Sequence, residues 1–232
     1  MRRIYASLLP VAALVSLACT SKAQNESSRE VAGGGVSVKG WTGQVDPGEA
    51  KRGQALKNAK LANDGSSLHV TTGPAVAYWN PSNTASGDYT VKATFTEPKY
   101  MNLNDHPHPY GIFIGGNDMG TANQSYLYCA TYGTGNFIVR GFGPAPFQMN
   151  GRGEANAAVH KAAAQGSPVT QDIAVSVKGD KVQCSVNGAV VGTYNKSDVV
   201  GAGKLKSTDG VYGIRFSHNT EGLVSGLTVT KP

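Results

Sequence analysis

Apolar and polar side chains alternate without a break from Asp88 to Thr96. Tyr89, Val91, Ala93 and Phe95 fall on one side, and Thr90, Lys92, Thr94 and Thr96 on the other. A period of two is the mark of a strand with one buried face. Residues 172–194 carry the same period through two tight turns. The runs Asp172–Lys178, Lys181–Val186 and Ala189–Tyr194 are separated by Gly179-Asp180 and Asn187-Gly188. Asn-Gly favours a two-residue hairpin turn, because both central positions need positive φ. The first turn pairs Val177 with Val182 and Val175 with Cys184. The second pairs Val186 with Ala189 and Cys184 with Val191. Both registers place Ile173, Val175, Val177, Val182, Cys184, Val186 and Val191 on one face, so Cys184 reads as a core residue. Further strands are predicted at Ser67–Thr71, Val76–Asn80, Tyr110–Gly115, Ser125–Thr131, Asn136–Phe142, Val211–Ser217 and Leu223–Thr230. Glycine is frequent, at 30 residues, and most of it punctuates these runs. Many short strands between turns predict an all-β sandwich or barrel rather than βαβ units. The exception is the long connection 143–171, whose alanine-rich middle, Glu154–Gln165, predicts a short helix.

The N-terminus adds a compartment to this picture. Arg2 and Arg3 precede an uncharged apolar stretch, Ile4–Ala18. It is shorter than the roughly 20 apolar residues that span a bilayer, and it fits a signal-peptide core. Two processing routes are open. Ser21-Lys22-Ala23 is a small-x-Ala site for cleavage before Gln24. Leu17-Ala18-Cys19 resembles a bacterial lipobox, which would leave Cys19 lipidated. The polar stretch 24–39, with Gly33-Gly34-Gly35, then reads as a flexible tether, and 40–232 as one domain. Removing residues 1–23, with Arg2, Arg3 and Lys22, takes the formal charge from +6 to +3. The remaining basic residues are scattered, which sets nucleic acid aside as a partner. Cys129 and Cys184 are the cysteines inside the domain. In an oxidising compartment they are candidates for one disulfide.

Several segments resemble the concanavalin A-like jelly rolls. They are Gly40-Trp41, Asp88-Tyr89-Thr90, Val182–Gly188 and Asp209-Gly210-Val211-Tyr212-Gly213-Ile214-Arg215-Phe216. Within that class they are most similar to the bacterial group associated with 3-keto-disaccharide hydrolases. The resemblance implies an antiparallel jelly-roll β-sandwich. It also implies glycan binding or glycan cleavage on a concave sheet face.

Candidate chemistry is sparse. No Glu-x-Asp-x-x-Glu motif of the jelly-roll glucanases occurs, and no Gly-x-Ser-x-Gly. His106-Pro107-His108, beside Asp105, offers two imidazoles for acid–base catalysis or metal ligation. Prolines would hold the same segment extended with the histidines merely exposed. Tyr126, Tyr128 and Tyr132 alternate with Leu127 and Cys129. If the latter face the core, the tyrosines line the opposite face, and Arg140 in the next strand is a candidate polar anchor there. Such rings stack on sugars, or else form a second core layer. Trp79 is either a sugar platform or a packing residue. His218 and Asn219, after the strand Val211–Ser217, are candidates for the same cleft as His108. Asn117 and Asp118 are weak candidates for a divalent cation such as calcium.

The leading expectation is therefore an extracytoplasmic protein, secreted, periplasmic or lipid-anchored, that binds a carbohydrate through Trp79, Tyr126, Tyr128 and Arg140. One alternative is an enzyme acting on 3-keto-glycosides with His106 or His108. Another is an interaction module with no sugar site.

Overall fold

The computed structural model describes residues 27–232. The processing sites at Cys19 and Gln24 lie outside the described residues. In chain order the strands are β1 Gly35–Val36, β2 Thr42–Val45, β3 Ala59–Asp64, β4 Ser67–Thr72, β5 Val76–Ala85, β6 Tyr89–Glu97, β7 Tyr110–Asn117, β8 Ser125–Tyr132 and β9 Asn136–Phe142. They continue with β10 Pro146–Gln148, β11 Glu154–Ala155, β12 Val169–Lys178, β13 Lys181–Val186, β14 Ala189–Asn195, β15 Gly210–Phe216 and β16 Glu221–Thr230. Single helical turns, α1 Pro47–Ala50 and α2 Lys196–Val199, follow β2 and β14. Among the described residues, no helix is long and apolar enough to cross a membrane.

Two sheets form. The first has the order β1-β3-β4-β16-β6-β12-β13-β14, and the second β10-β9-β8-β7-β15-β5-β2, with β11 also pairing β9. The non-consecutive neighbours, such as β6 between β12 and β16, are the crossovers of a jelly roll. The chain forms the all-β sandwich that its patterning predicted, with the jelly-roll topology that the resemblance implied.

The registers follow the side-chain period. Val175 faces Cys184 and Val177 faces Val182, and on the other side Val175 faces Val91. Asn187 at φ +49° and Gly188 at φ +83° build the second hairpin turn, and Val186 faces Ala189. Beyond that pair the expected register fails. Ser185 faces Val190 and Cys184 faces Gly192, so Val191 is the extra residue of a bulge rather than the partner of Cys184. A bulge leaves one residue unpaired and bends an outermost strand, and β14 is the edge here.

The two sheets bury one continuous core between them. Phe95 of the first sheet meets Tyr110 and Phe216 of the second at ring distances of 5.9 and 6.0 Å. Val91, Val175 and Val182 face Ile112, Leu127 and Ile214 in the same cluster. Cys129 in β8 and Cys184 in β13 form a disulfide across the sandwich, with Cα atoms 5.9 Å apart.

Two further expectations change. The connection after β9 holds no helix; it forms β10 and β11 and is tied to β8 and β9. Asn156 N donates to Gly135 O and Ala162 N to Gly133 O. A helix of this length is marginal on its own, and these backbone bonds replace it. The stretch read as a tether is packed along residues 27–39. Strand β1 runs parallel to β3, and Arg29 N donates to Asn219 Oδ1 at 2.7 Å.

Candidate functional site

The residues of the second sheet that point away from the sandwich core form a second apolar cluster. It comprises Ala77 and Trp79 of β5, Phe113 of β7, Tyr126, Tyr128 and Ala130 of β8, and Ile138 and Phe142 of β9. Cross-strand pairing explains the assembly. Tyr126 faces Phe142, Tyr128 faces Arg140, and Phe113 lies between Tyr128 and Gly213. Gly213 is required there, since a Cβ on it would lie 2.7 Å from the Phe113 ring. The rings contact one another at 5.0 Å for Phe113–Tyr126 and 5.1 Å for Tyr126–Phe142.

Two arginines sit among these rings. The Arg215 guanidinium lies 4.6 Å from the Tyr128 ring centre, and that of Arg140 lies 5.7 Å from Phe142. A desolvated cation over a ring contributes about 2 kcal/mol. Arg215 is 5 % exposed, and its Nη2 donates to Asp46 Oδ2. Burial pushes the Asp46 carboxyl up, and Arg215 pulls it back. Burial likewise disfavours the guanidinium charge, but Asp46 holds Arg215 protonated. Burial raises Tyr126 well above its usual value, so its hydroxyl keeps its proton.

A cleft of about 700 Å³ opens beside this face. Its walls are Gln44, Pro47 and Lys51 on one side, Thr121 and Gln124 on another, and Phe142 beneath. On its wall Gln44 Oε1 is buried without a hydrogen-bond partner, as are Asp46 Oδ1, Arg140 Nε and Arg215 Nε behind the lining. Buried polar atoms are normally satisfied, so Gln44 Oε1 on the cleft wall is placed to accept from a bound hydroxyl or water.

The sequence-predicted residues divide between three places. Tyr126, Tyr128, Trp79 and Arg140 do share one face, but the three rings are 1–4 % exposed. They form a buried apolar layer outside the cleft's lining instead of offering open stacking surfaces. Phe142, Gln44, Asp46 and Arg215 were not singled out from sequence. The available signal was the parity of β15, in which Val211, Gly213 and Arg215 oppose the core residues Tyr212, Ile214 and Phe216.

His106, His108 and His218 gather at the end of β7 and β15. Ring centres are 4.3 Å apart for His106–His108 and 4.0 Å for His108–His218. Ser217 N donates to Pro109 O at 3.0 Å, which zips the two loops together. Burial, followed by the neighbouring His218 and His106, holds His108 down to about 3. Asn219, at φ +49°, is buried and committed elsewhere. Its Oδ1 accepts from Arg29 N, and its Nδ2 donates to Ser27 O.

Asn117 and Asp118 do not converge on a cation site. Asn117 Nδ2 donates to the carbonyls of Gly115 and Asp209, and Lys206 Nζ donates to Asp118.

No protein-family model and no curated protein matches the chain. Solved structures do. A carbohydrate-binding module of Bacillus subtilis, CBM66, superposes with a TM-score of 0.56 at 9 % identity, over 84 % of this chain and 98 % of that one. A B. subtilis protein of unknown function with a galectin-like fold gives 0.55 at 13 % identity, over 84 % and 90 %. The endo-β-1,3-glucanase of Pyrococcus furiosus gives 0.53 at 14 % identity, over 88 % and 92 %. At these identities the likeness is one of fold, that of a jelly-roll β-sandwich.

Proposed function

We propose that the protein is exported to the cell envelope and that its jelly roll binds a carbohydrate in the cleft beside Phe142. The observation that carries this reading is that Phe142, from the aromatic face, and Gln44, whose Oε1 is buried without a hydrogen-bond partner, line the same cleft. Sugars present an apolar ring face and a rim of hydroxyls, which such a mixed surface complements. The fold neighbours that include a carbohydrate-binding module and a glucanase support the same reading. Export rests on the basic and apolar pattern of residues 1–23, with either a lipid on Cys19 or cleavage before Gln24.

Hydrolysis is the weaker reading. A glycosidase needs two carboxylates available to the bond. Here Asp46 is bound to Arg215 and Glu49 to Arg52 and Ser28. A glycan array probed with the full chain tests the binding reading. Binding of at least one glycan is expected, weakened about tenfold by Gln44→Ala, the scale of one lost hydrogen bond. Phe142→Ala should weaken the same glycan. An array blank for every sugar would overturn the reading. Release of keto-sugar from a 3-keto-disaccharide would replace it with the enzyme.

A further inference from the structure

The histidine cluster is built from segments that the cleft does not use. In His106-Pro107-His108, a spacing of two on an extended segment puts both imidazoles on one side. Pro107 and Pro109 fix the backbone there. The third imidazole, His218, comes from the far end of β15, brought alongside by the pairing of Phe216 with Tyr110. Each ring offers one nitrogen, and the three nitrogens lie within 4.8 Å of one another.

A hydrogen-bonding oxygen stands against Nδ1 of His106 and of His108, and a carboxylate oxygen lies nearby at His218. Asp105 Oδ1 is 2.6 Å from His106 Nδ1, and Ser217 Oγ is 3.1 Å from His108 Nδ1. Glu49 Oε1 is 3.6 Å from His218 Nδ1. Metal-bound imidazoles carry this same support, because it fixes the tautomer and the ring direction and makes the other nitrogen more basic. Three such rings, packed together at a partly buried loop junction, repel one another when protonated and jointly favour a cation as neutral bases.

We propose that His106, His108 and His218 bind one transition-metal ion, zinc or copper in type, through three imidazole nitrogens. A tetrahedral zinc with about 2.0–2.1 Å bonds sets its ligand nitrogens roughly 3.3 Å apart. The nitrogens lie within 4.8 Å of one another, so the rings must turn inward to close on an ion, and the His106 side chain is 36 % exposed. That same exposure leaves the fourth position to water or a small ligand. Three neutral nitrogen donors select a borderline ion, and calcium or magnesium, which take oxygen ligands, are excluded. The site stands independently of the carbohydrate reading, since it shares none of the cleft's lining residues.

The test is calorimetric titration of the chelator-stripped full chain with ZnCl₂, and separately with CuCl₂. One ion per chain is expected, with micromolar affinity or tighter. The double variant His106→Ala/His218→Ala should lose at least about 100-fold, and Ser217→Ala, which frees the His108 ring, about tenfold. Cobalt(II) added in place of zinc should give the intense visible bands of a four-coordinate ion. His106→Gln, at the most exposed of the three rings, keeps the test valid where the double variant fails to fold, and should also weaken zinc. Absence of uptake by the unmodified chain overturns the proposal, as does unchanged zinc affinity in a folded His106 variant.

Discussion

Arg215, on the outward side of β15, donates from Nη2 to Asp46 Oδ2 across 169 residues of chain. The bond fastens the loop after β2 onto the aromatic face of the second sheet. Both side chains are largely buried, at 6 % and 15 % exposure. Removing one partner strands the other charge in a dry setting, which costs about 3–5 kcal/mol. Asp46→Ala should therefore lower the urea midpoint by that scale. The double change Asp46→Ala/Arg215→Met should recover much of the loss. A double variant no more stable than Asp46→Ala would show that the pair is not what holds the loop.

The Cys129–Cys184 bridge closes a loop of 55 residues between the sheets. Loop-closure entropy for that length amounts to about 4 kcal/mol at 25 °C. Cys129→Ala/Cys184→Ala should lose stability on that scale, and dithiothreitol should destabilise the unmodified protein to a similar extent. Equal melting temperatures with and without reductant would contradict the bridge.

Glu97, at the end of β6, is buried, and desolvation pushes its carboxyl up to about 7, against a partly opposing bond from Met101 N. Its ordinary value is 4.5. Between these values the folded chain keeps a proton that the unfolded chain gives up. This contribution is thus fully present below pH 4.5 and is lost as pH rises through about 7. Glu97→Gln retains the acceptor for Met101 N and cannot ionise. It should melt like the parent at pH 4 and be more stable by about 2–3 kcal/mol at pH 8. A variant less stable at both pH values would rule out this account.

Asn219 fastens the N-terminal segment with two side-chain hydrogen bonds, and its own carbonyl accepts from Asn104 Nδ2. Glycine tolerates the same positive φ, so Asn219→Gly removes the bonds without backbone strain. About 1–2 kcal/mol should be lost, and amide exchange should quicken at Arg29 and through residues 29–36. Unchanged exchange there would mean that β1 alone holds the segment.

What could be read in advance followed the side-chain period. The alternation of Asp88–Thr96 and the Asn187-Gly188 turn were visible because strand faces and tight turns are local properties. Strand β3 was missed because Ala, Lys, Asn and Asp are poor strand formers, and only pairing with β4 selects the strand. Tyr126, Tyr128 and Arg140 could be grouped from alternation. Their burial could not, because it depends on the loop carrying Asp46 and on the loop before β8, where Gly120 approaches Trp79. The cleft walls come from three separate loops, and no periodicity encodes how loops meet. His106 and His108 announced themselves by spacing. Their union with His218 required the β7–β15 register.

The clasp between Ser27 and Asn219 also gives the molecule a direction. Ser27 is bonded to Asn219, the neighbour of His218, so the chain enters the domain at the histidine end. A lipid on Cys19 would stand eight residues from Ser27, at most about 28 Å away at full extension. Cleavage before Gln24 would instead leave a charged amino group within about 11 Å. Only the lipidated form would be moored, and its attachment would lie on the side of the histidine cluster.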